Sequence, residues 1–319
     1  MKVQIVELKK SKNSSSNVVE YTFSDVPVIL GTVLANEFRG RVYREGTVSA
    51  EGFLDKEMAD KWHDIFLSLA GHQKITGAAI PFIAADESRY ALSVFATRAT
   101  SVVCTSMEMQ SFVLKLRAFL KSSSQLTDRM PADFLKKLCQ VFSEFLDLIQ
   151  VSNSDEKVDY FSLFAWRERR DEWGENYCTT FPASLGLLDY CIFNSSSVQE
   201  FSFIKEPCSK KFVMRFHVPD IINGTKFADA WREDLEHLVK MGYYPMGLLV
   251  NICERGTLDS FINRYKLIQG SSLRRSEIEG QFVINMWARY SNEVFLHLYS
   301  LDRDGHSLED VSDELSNLL

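Results

Sequence analysis

Two heptapeptides decide how this chain is organised: MADKWHD at residues 58–64 and FADAWRE at residues 227–233. Ala, Asp and Trp stand at the same positions in both, and each heptapeptide lies in a segment whose apolar residues recur at helical spacing. In both places strand-like segments precede the helix, and a glycine, Gly71 or Gly242, follows it. The pattern predicts a unit of strands, one helix and further strands that occurs twice, as an internal duplication.

The segments around the first heptapeptide predict strands on both sides of one helix. We expect the helix over 55–70, because Met58, Trp62 and Phe66 recur at helical spacing. Short runs that alternate apolar with polar residues, or that are apolar throughout and bounded by turn residues, are typical of strands. The strands expected from these runs cover residues 2–8, 18–23, 28–33, 75–84 and 90–104, and 39–53 is expected to form two strands around a turn at 44–46.

The rest of the chain divides into a helical segment and a second mixed segment. Helical spacing over 106–150, with a break at 122–124, predicts two helices packed on each other. In the last third, helices are expected over 225–241, 258–268 and the acidic end of the chain, 301–319. Strands are expected over 200–204, 211–218, 246–253, 281–289 and 293–299.

These elements predict an α+β fold with two mainly antiparallel sheet-plus-helix units joined by a helical connector. The expected boundaries are 1–105 for the first unit, 106–155 for the connector and 156–319 for the second unit. In the duplication, the late segment 286–290, MWARY, would correspond to the early segment 95–99, FATRA.

The expected order of hairpin, helix and hairpin around Trp62 and Trp231 resembles, at the level of architecture, the tube-type domains of phage tails and contractile injection machines. The resemblance covers the two predicted units and includes no diagnostic sequence motif. It implies a subunit that assembles with other protein chains.

Composition and charge exclude several classes of protein. The chain has 319 residues, of which 45% are hydrophobic and 25% charged, as in globular proteins rather than disordered or collagen-like ones. The formal net charge of -7 leaves no basic surplus for sequence-independent binding to nucleic acid. No apolar run is long enough to span a membrane, and the start, MKVQIVELKK, is too polar for a signal peptide. With six cysteines and no CxxC pair, we predict a cytoplasmic protein with reduced thiols.

Motifs of known chemistry are absent from the sequence. The six histidines form no HExxH, and no GxSxG elbow or glycine-rich phosphate loop occurs. The segment 302–309 begins like a calcium loop, but its glycine comes too early for one. We therefore predict neither a metal nor a cofactor and name no catalytic residue, while the question of an enzymatic activity stays open.

Aromatic residues favour a function in protein contacts. The chain contains 23 Phe, 11 Tyr and 5 Trp, which supply large contact areas. Trp166 and Trp173 flank a run of mixed charge at 167–172, which is typical of a partner-facing rim, whereas Trp231 and Trp287 are expected in the core. We predict a non-catalytic structural or accessory subunit of a larger assembly, with copies of itself or other proteins as partners.

The alternative is a nucleic-acid-directed protein, such as a nuclease-like or sensing subunit of a defence system. Short basic patches support it, although a solvated helix face is the more common explanation for such patches. The residues that would contact nucleic acid are Lys115, Arg117, Lys121, Lys136, Lys137, Arg264, Arg274 and Arg275.

Overall fold

The computed structural model describes residues 1–8, 17–49, 55–71, 80–149, 163, 177–194 and 198–256. Within them the chain has the expected α+β fold, with two antiparallel sheets. The strands are β1 (Lys2–Glu7), β2 (Val18–Pro27), β3 (Val42–Ser49), β4 (Thr97–Thr105), β5 (Tyr177–Ser184), β6 (Val198–Phe203) and β7 (Leu249–Gly256). The α-helices are α1 (Val28–Glu37), α2 (Asp55–Ala70), α3 (Ile80–Ser88), α4 (Ser106–Ser122), α5 (Ala132–Leu148), α6 (Leu185–Asn194) and α7 (Phe227–Lys240).

The two sheets share one topology. In the first unit β2, α1, β3, α2 and β4 follow one another, with α3 inserted before β4, and β5, α6, β6, α7 and β7 repeat this order. The strand orders are β1-β2-β4-β3 and β5-β7-β6. In the first sheet β4 lies between β2 and β3, and in the second β7 lies between β5 and β6 in the same way. The registers also correspond, since Pro27 pairs with Thr97 and Ser184 pairs with Leu249. The repeated topology agrees with the predicted duplication.

The order of elements within the repeat differs from the predicted one. Each unit alternates strand, helix, strand, helix and strand, and does not place hairpins on both sides of a single helix. The resemblance to tube-type domains depended on those hairpins, so it does not extend to this topology. The last described strand of the second unit is β7, whereas the segment 286–290, which was expected to provide a later strand, lies outside the described residues.

Several of the predicted strands were wrong in whole or in part. Residues 44–46, predicted as a turn between two strands, lie within the single strand β3. Residues 90–96, predicted as strand, begin with a 3-10 turn at Arg89–Ala91, and β4 starts only at Thr97. Residues 28–33 belong to helix α1, whose side chains are buried from Val28 to Asn36. A helix that is buried all round has no polar face, so its sequence shows an apolar run without helical spacing. Of 75–84, the described part from Ile80 is helical, and 211–218 forms only isolated bridges such as Phe216 with Leu248. The elements predicted after residue 256 lie outside the described residues.

The two units are joined by a pair of corresponding hydrogen bonds. The N–H of Val94 donates to the carbonyl of Tyr244 (2.8 Å), and the N–H of Met246 donates to the carbonyl of Leu92 (2.7 Å). Because each unit contributes one donor and one acceptor from corresponding segments, the contact has approximate twofold symmetry.

The two tryptophans that revealed the repeat also meet where the units pack together. The rings of Trp62 and Trp231 pack edge to face with centroids 4.9 Å apart, and neither side chain is exposed to solvent. Such aromatic pairs add to the free energy gained by burying their area.

The predicted helical pair, α4 and α5, packs on both sheets. Phe119 and Phe142 join the two helices, with ring centroids 5.1 Å apart. From α5, Phe145 contacts Phe23 of the first sheet, and Phe134 contacts Phe203 of the second. A continuous apolar core therefore runs through both units and the helical pair.

Candidate functional site

Among the strands that the structure describes, β1 lies at one edge of the first sheet, and it carries exposed apolar side chains. Its described neighbour is β2, to which it is antiparallel, with Ile5 opposite Tyr21 and Val6 opposite Glu20. Ile5 is 55% exposed and Val6 is 42% exposed, which is unusual for large apolar residues in a strand. Ile5 lies on the sheet face that carries the buried Tyr21, so β1 extends this apolar face to the edge of the sheet.

The backbone of β1 offers hydrogen-bonding groups at this edge. The N–H of Leu8, just after the strand, donates to the carbonyl of Val18 (3.0 Å). Because residues of an antiparallel strand bond alternately to one side and the other, the N–H and C=O groups of Val3 and Ile5 point away from β2. Such groups can pair with a further strand.

The other described sheet edges have features that hinder pairing with a further strand. Strand β3 directs the charged Arg44 inward and shifts register between Glu45 and Ser49. Strand β5 contains Pro182, which has no N–H to donate. On β6, the N–H of Phe203 donates to the carbonyl of Arg129 (3.2 Å). Among the described strands, β1 thus has an edge without a proline, an inward cation or a register shift.

A partly buried ion pair lies between the units. Both terminal nitrogens of Arg44 donate to the Asp189 carboxylate at 2.5 Å, and their side chains are only 12% and 17% exposed. Thr32 of α1 donates to the same carboxylate, so Asp189 of α6 holds two elements of the first unit. This contact explains why α1 and α6 pack together and points to a structural role for the pair.

Two further arginines influence the same region. Burial lowers the pKa of Arg98, and the charges of Arg44 and Arg89 lower it further. The Asp189 carboxylate acts in the opposite direction. The Asp189 carboxylate of the second unit thus partly offsets the repulsion that Arg98 experiences from Arg44 and Arg89.

The aromatic residues predicted to bind a partner are not among the residues that the structure describes. Trp166 and Trp173 lie outside the described residues, as does Trp287, which was expected in the core. Trp231, also expected in the core, is fully buried.

The residues predicted for nucleic acid do not form a single exposed group where they are described. Lys115 forms an ion pair with Glu37 (2.7 Å), and both side chains are less than one-fifth exposed. Lys137 donates to the carbonyl of Gly242 and lies over the ring of Tyr243. Arg117 is half-buried, Lys121 and Lys136 are exposed, and the remaining three lie outside the described residues: Arg264, Arg274 and Arg275. The alternative therefore stays a prediction.

Sequence reasoning placed β1 correctly but did not identify its edge as a site. The available signal was the run from Val3 to Val6, in which apolar residues occur on both faces of the strand. It also missed Arg44 and Asp189, because nothing in their sequence neighbourhoods indicates that they meet.

Features of two other kinds of site are absent from the described residues. In the part of the chain that the structure describes, no helix is long and apolar enough to cross a membrane, and no group of three metal-ligating side chains occurs. Comparisons with protein-family models, curated proteins and solved structures found no match to this chain.

Proposed function

We propose that this chain is a non-catalytic structural or accessory subunit of a larger protein assembly and that it acts by protein contacts. The observation that carries the proposal is the edge of β1, where exposed Ile5 and Val6 accompany backbone groups that can pair with another strand. Exposed apolar side chains at an unprotected sheet edge favour association with protein over solvent.

The rest of the described structure is suited to this role. The apolar core is continuous through both units and the helical pair, so β1 is attached to a well-packed body. Binding through a preorganised edge costs less conformational entropy than binding through a segment that must first become ordered.

The test is the mass of the native assembly, measured by light scattering on the purified chain and on the complex recovered from its source. We compare the native chain with the double variant Ile5→Lys, Val6→Lys. The matched control is Met107→Lys, which adds one charge at an exposed apolar residue of α4, 73% exposed and outside β1. Circular dichroism checks that all three chains are folded.

We expect the native chain and the control to enter the same stoichiometric protein complex, and the double variant to be lost from it. Equal recovery of all three chains would exclude β1 as the contact. A native chain that stays monomeric, captures no protein and either turns over a substrate or co-purifies with nucleic acid would contradict the proposed function.

A further inference from the structure

We infer that β1 pairs with β1 of a second copy of this chain, antiparallel and with Gln4 facing Gln4, so that two four-stranded sheets become one continuous sheet. The inference rests on the proposed function and names the partner of the same edge. It follows from the self-complementary pattern of β1, KVQIVE.

Symmetry restricts the registers that are available. In a dimer whose twofold axis is perpendicular to the sheet, the same face of both sheets points to the same side of the dimer. Directly opposite residues must then come from the same face, so odd residues oppose odd residues and even oppose even. The two registers nearest the middle of β1 place either Gln4 or Ile5 opposite itself.

The apolar face decides between these registers. With Ile5 at the centre, Glu7 would lie opposite Val3 on the face shared with buried Tyr21. A carboxylate in such surroundings loses hydration without gaining a cation. With Gln4 at the centre, Glu7 instead lies at the end of the paired segment, opposite the residue that precedes β1. Val3 of each copy then lies opposite Ile5 of the other, which covers the exposed Ile5 side chains with apolar groups.

Charge on the other face favours the same register. Lys2 then lies opposite Val6 of the second copy, and Val6 in turn pairs with Glu20 of β2. Lys2 and Glu20 are separated by two strand spacings, about 10 Å between Cα atoms, which their long side chains can bridge. Two such cross-copy contacts form for each dimer.

The backbone is compatible with this pairing. The outward N–H and C=O groups belong to Val3 and Ile5, which the register places opposite each other as hydrogen-bonded pairs. Gln4 then forms a pair without backbone hydrogen bonds, with Cα atoms about 4.5 Å apart. One strand pair buries less than the roughly 1,200 Å² of a stable interface, so the dimer should dissociate on dilution.

A register-specific disulfide tests the inference. In Gln4→Cys the two thiols face each other at a Cα separation that a disulfide can span. In the matched variant Val6→Cys the two cysteines lie four residues apart along the paired strands, about 14 Å, and cannot be joined. The native chain serves as background because it has an exposed thiol at Cys208.

We expect sedimentation to show a concentration-dependent dimer that Ile5→Lys abolishes, and mild oxidation to link Gln4→Cys through residue 4 but not Val6→Cys. Peptide mapping confirms the linked residue. The inference is overturned by a native chain that stays monomeric at every concentration, or by a dimer in which Gln4→Cys does not cross-link. A monomer that still enters a stoichiometric complex with other proteins overturns only this inference. A monomer that captures no protein and turns over a substrate or co-purifies with nucleic acid overturns the proposed function too.

Discussion

At the level of single residues, Asp189 connects the two units through polar contacts. Its carboxylate accepts hydrogen bonds from Arg44 and Thr32, which belong to the first unit. In the second unit the position that corresponds to Arg44 is Phe201, which pairs with Ile252 as Arg44 pairs with Thr100. The repeat therefore carries a partly buried ion pair at this position in the first unit and an apolar side chain at the corresponding position in the second.

We predict that Asp189→Ala lowers the free energy of unfolding by about 3 kcal/mol, because the carboxylate that balances the buried Arg44 is removed. Urea unfolding measures the change. The control is Asp60→Ala, which breaks an exposed pair with Lys56 and should cost less than about 1 kcal/mol. Equal losses in the two variants would show that the Arg44 ion pair is no more important than a surface pair.

Cysteine reactivity gives a second prediction at this scale. Burial, with a smaller effect from the charge of Glu108, raises the pKa of Cys104 to about 12. Only the thiolate reacts, so Cys104 should stay unmodified by iodoacetamide at neutral pH, while the exposed Cys208 is alkylated. Mass spectrometry of digested protein measures both sites, and urea should make Cys104 reactive. Rapid labelling of Cys104 in the folded chain would contradict its burial.

At the level of elements, the junction between β4 and α4 shows how a strand ends and a helix begins without a loop. The Thr105 hydroxyl accepts from the N–H of Glu108 (3.2 Å), and the Glu108 carboxylate accepts from the N–H of Thr105 (2.8 Å). This capping box satisfies N–H groups that the first turn of a helix leaves without partners. Arg41 adds an ion pair to Glu108 (2.9 Å).

The same junction predicts a dependence of stability on pH. Partial burial acts to raise the pKa of Glu108, but hydrogen bonds from Thr105 and Arg41 outweigh it and leave the pKa below its ordinary value. A carboxyl group whose pKa is lowered by folding stabilises the protein above its unfolded-state pKa, and this contribution is lost as the pH falls through the folded-state pKa.

We therefore expect Glu108→Gln to flatten the fall in unfolding free energy between neutral and acidic pH, measured by urea unfolding at each pH. Because Arg41 acts through the Glu108 charge, adding Arg41→Gln to this variant should leave the profile unchanged. An unchanged pH dependence of the unfolding free energy in Glu108→Gln would contradict the role given to Glu108.

At the level of the whole molecule, the close approach of the two units leaves little room for a side chain at Gly247. Its N–H donates to the carbonyl of Tyr90 (2.8 Å). A Cβ at this position would lie 3.1 Å from that carbonyl oxygen and 3.2 Å from Cδ1 of Leu235. Neither the backbone nor the packed leucine can move away without disturbing the contact between the units.

We predict that Gly247→Ala lowers the free energy of unfolding by roughly 1–3 kcal/mol, as overpacking does in other cores. Gly71→Ala is the control, because its Cβ would meet its nearest neighbour, the carbonyl of Ser68, at an ordinary contact distance of 3.4 Å. Urea unfolding measures both. If the two substitutions have the same effect, the approach of the units at Gly247 is looser than these distances require.

The sequence by itself determined the elements that have one polar and one apolar face. Helices α2, α4, α5 and α7 lie close to their predicted bounds, because a half-buried helix shows its period in its own residues. The heptapeptides around Trp62 and Trp231 indicated the repeat, and alternation indicated β1. The apolar run of α1 was ambiguous, since complete burial removes the polar face that distinguishes a helix from a strand.

Only the tertiary structure decided the order of the strands and the contacts between residues far apart in the chain. The pairing of Arg44 with Asp189 depends on where α6 packs, which no local pattern records. The open edge of β1 depends likewise on which strands its sheet contains. The spacing of apolar residues along an element depends on how much of that element is buried, so the sequence itself shows it. The candidate site depends on which elements lie beside β1, and this is set by the packing of the whole chain.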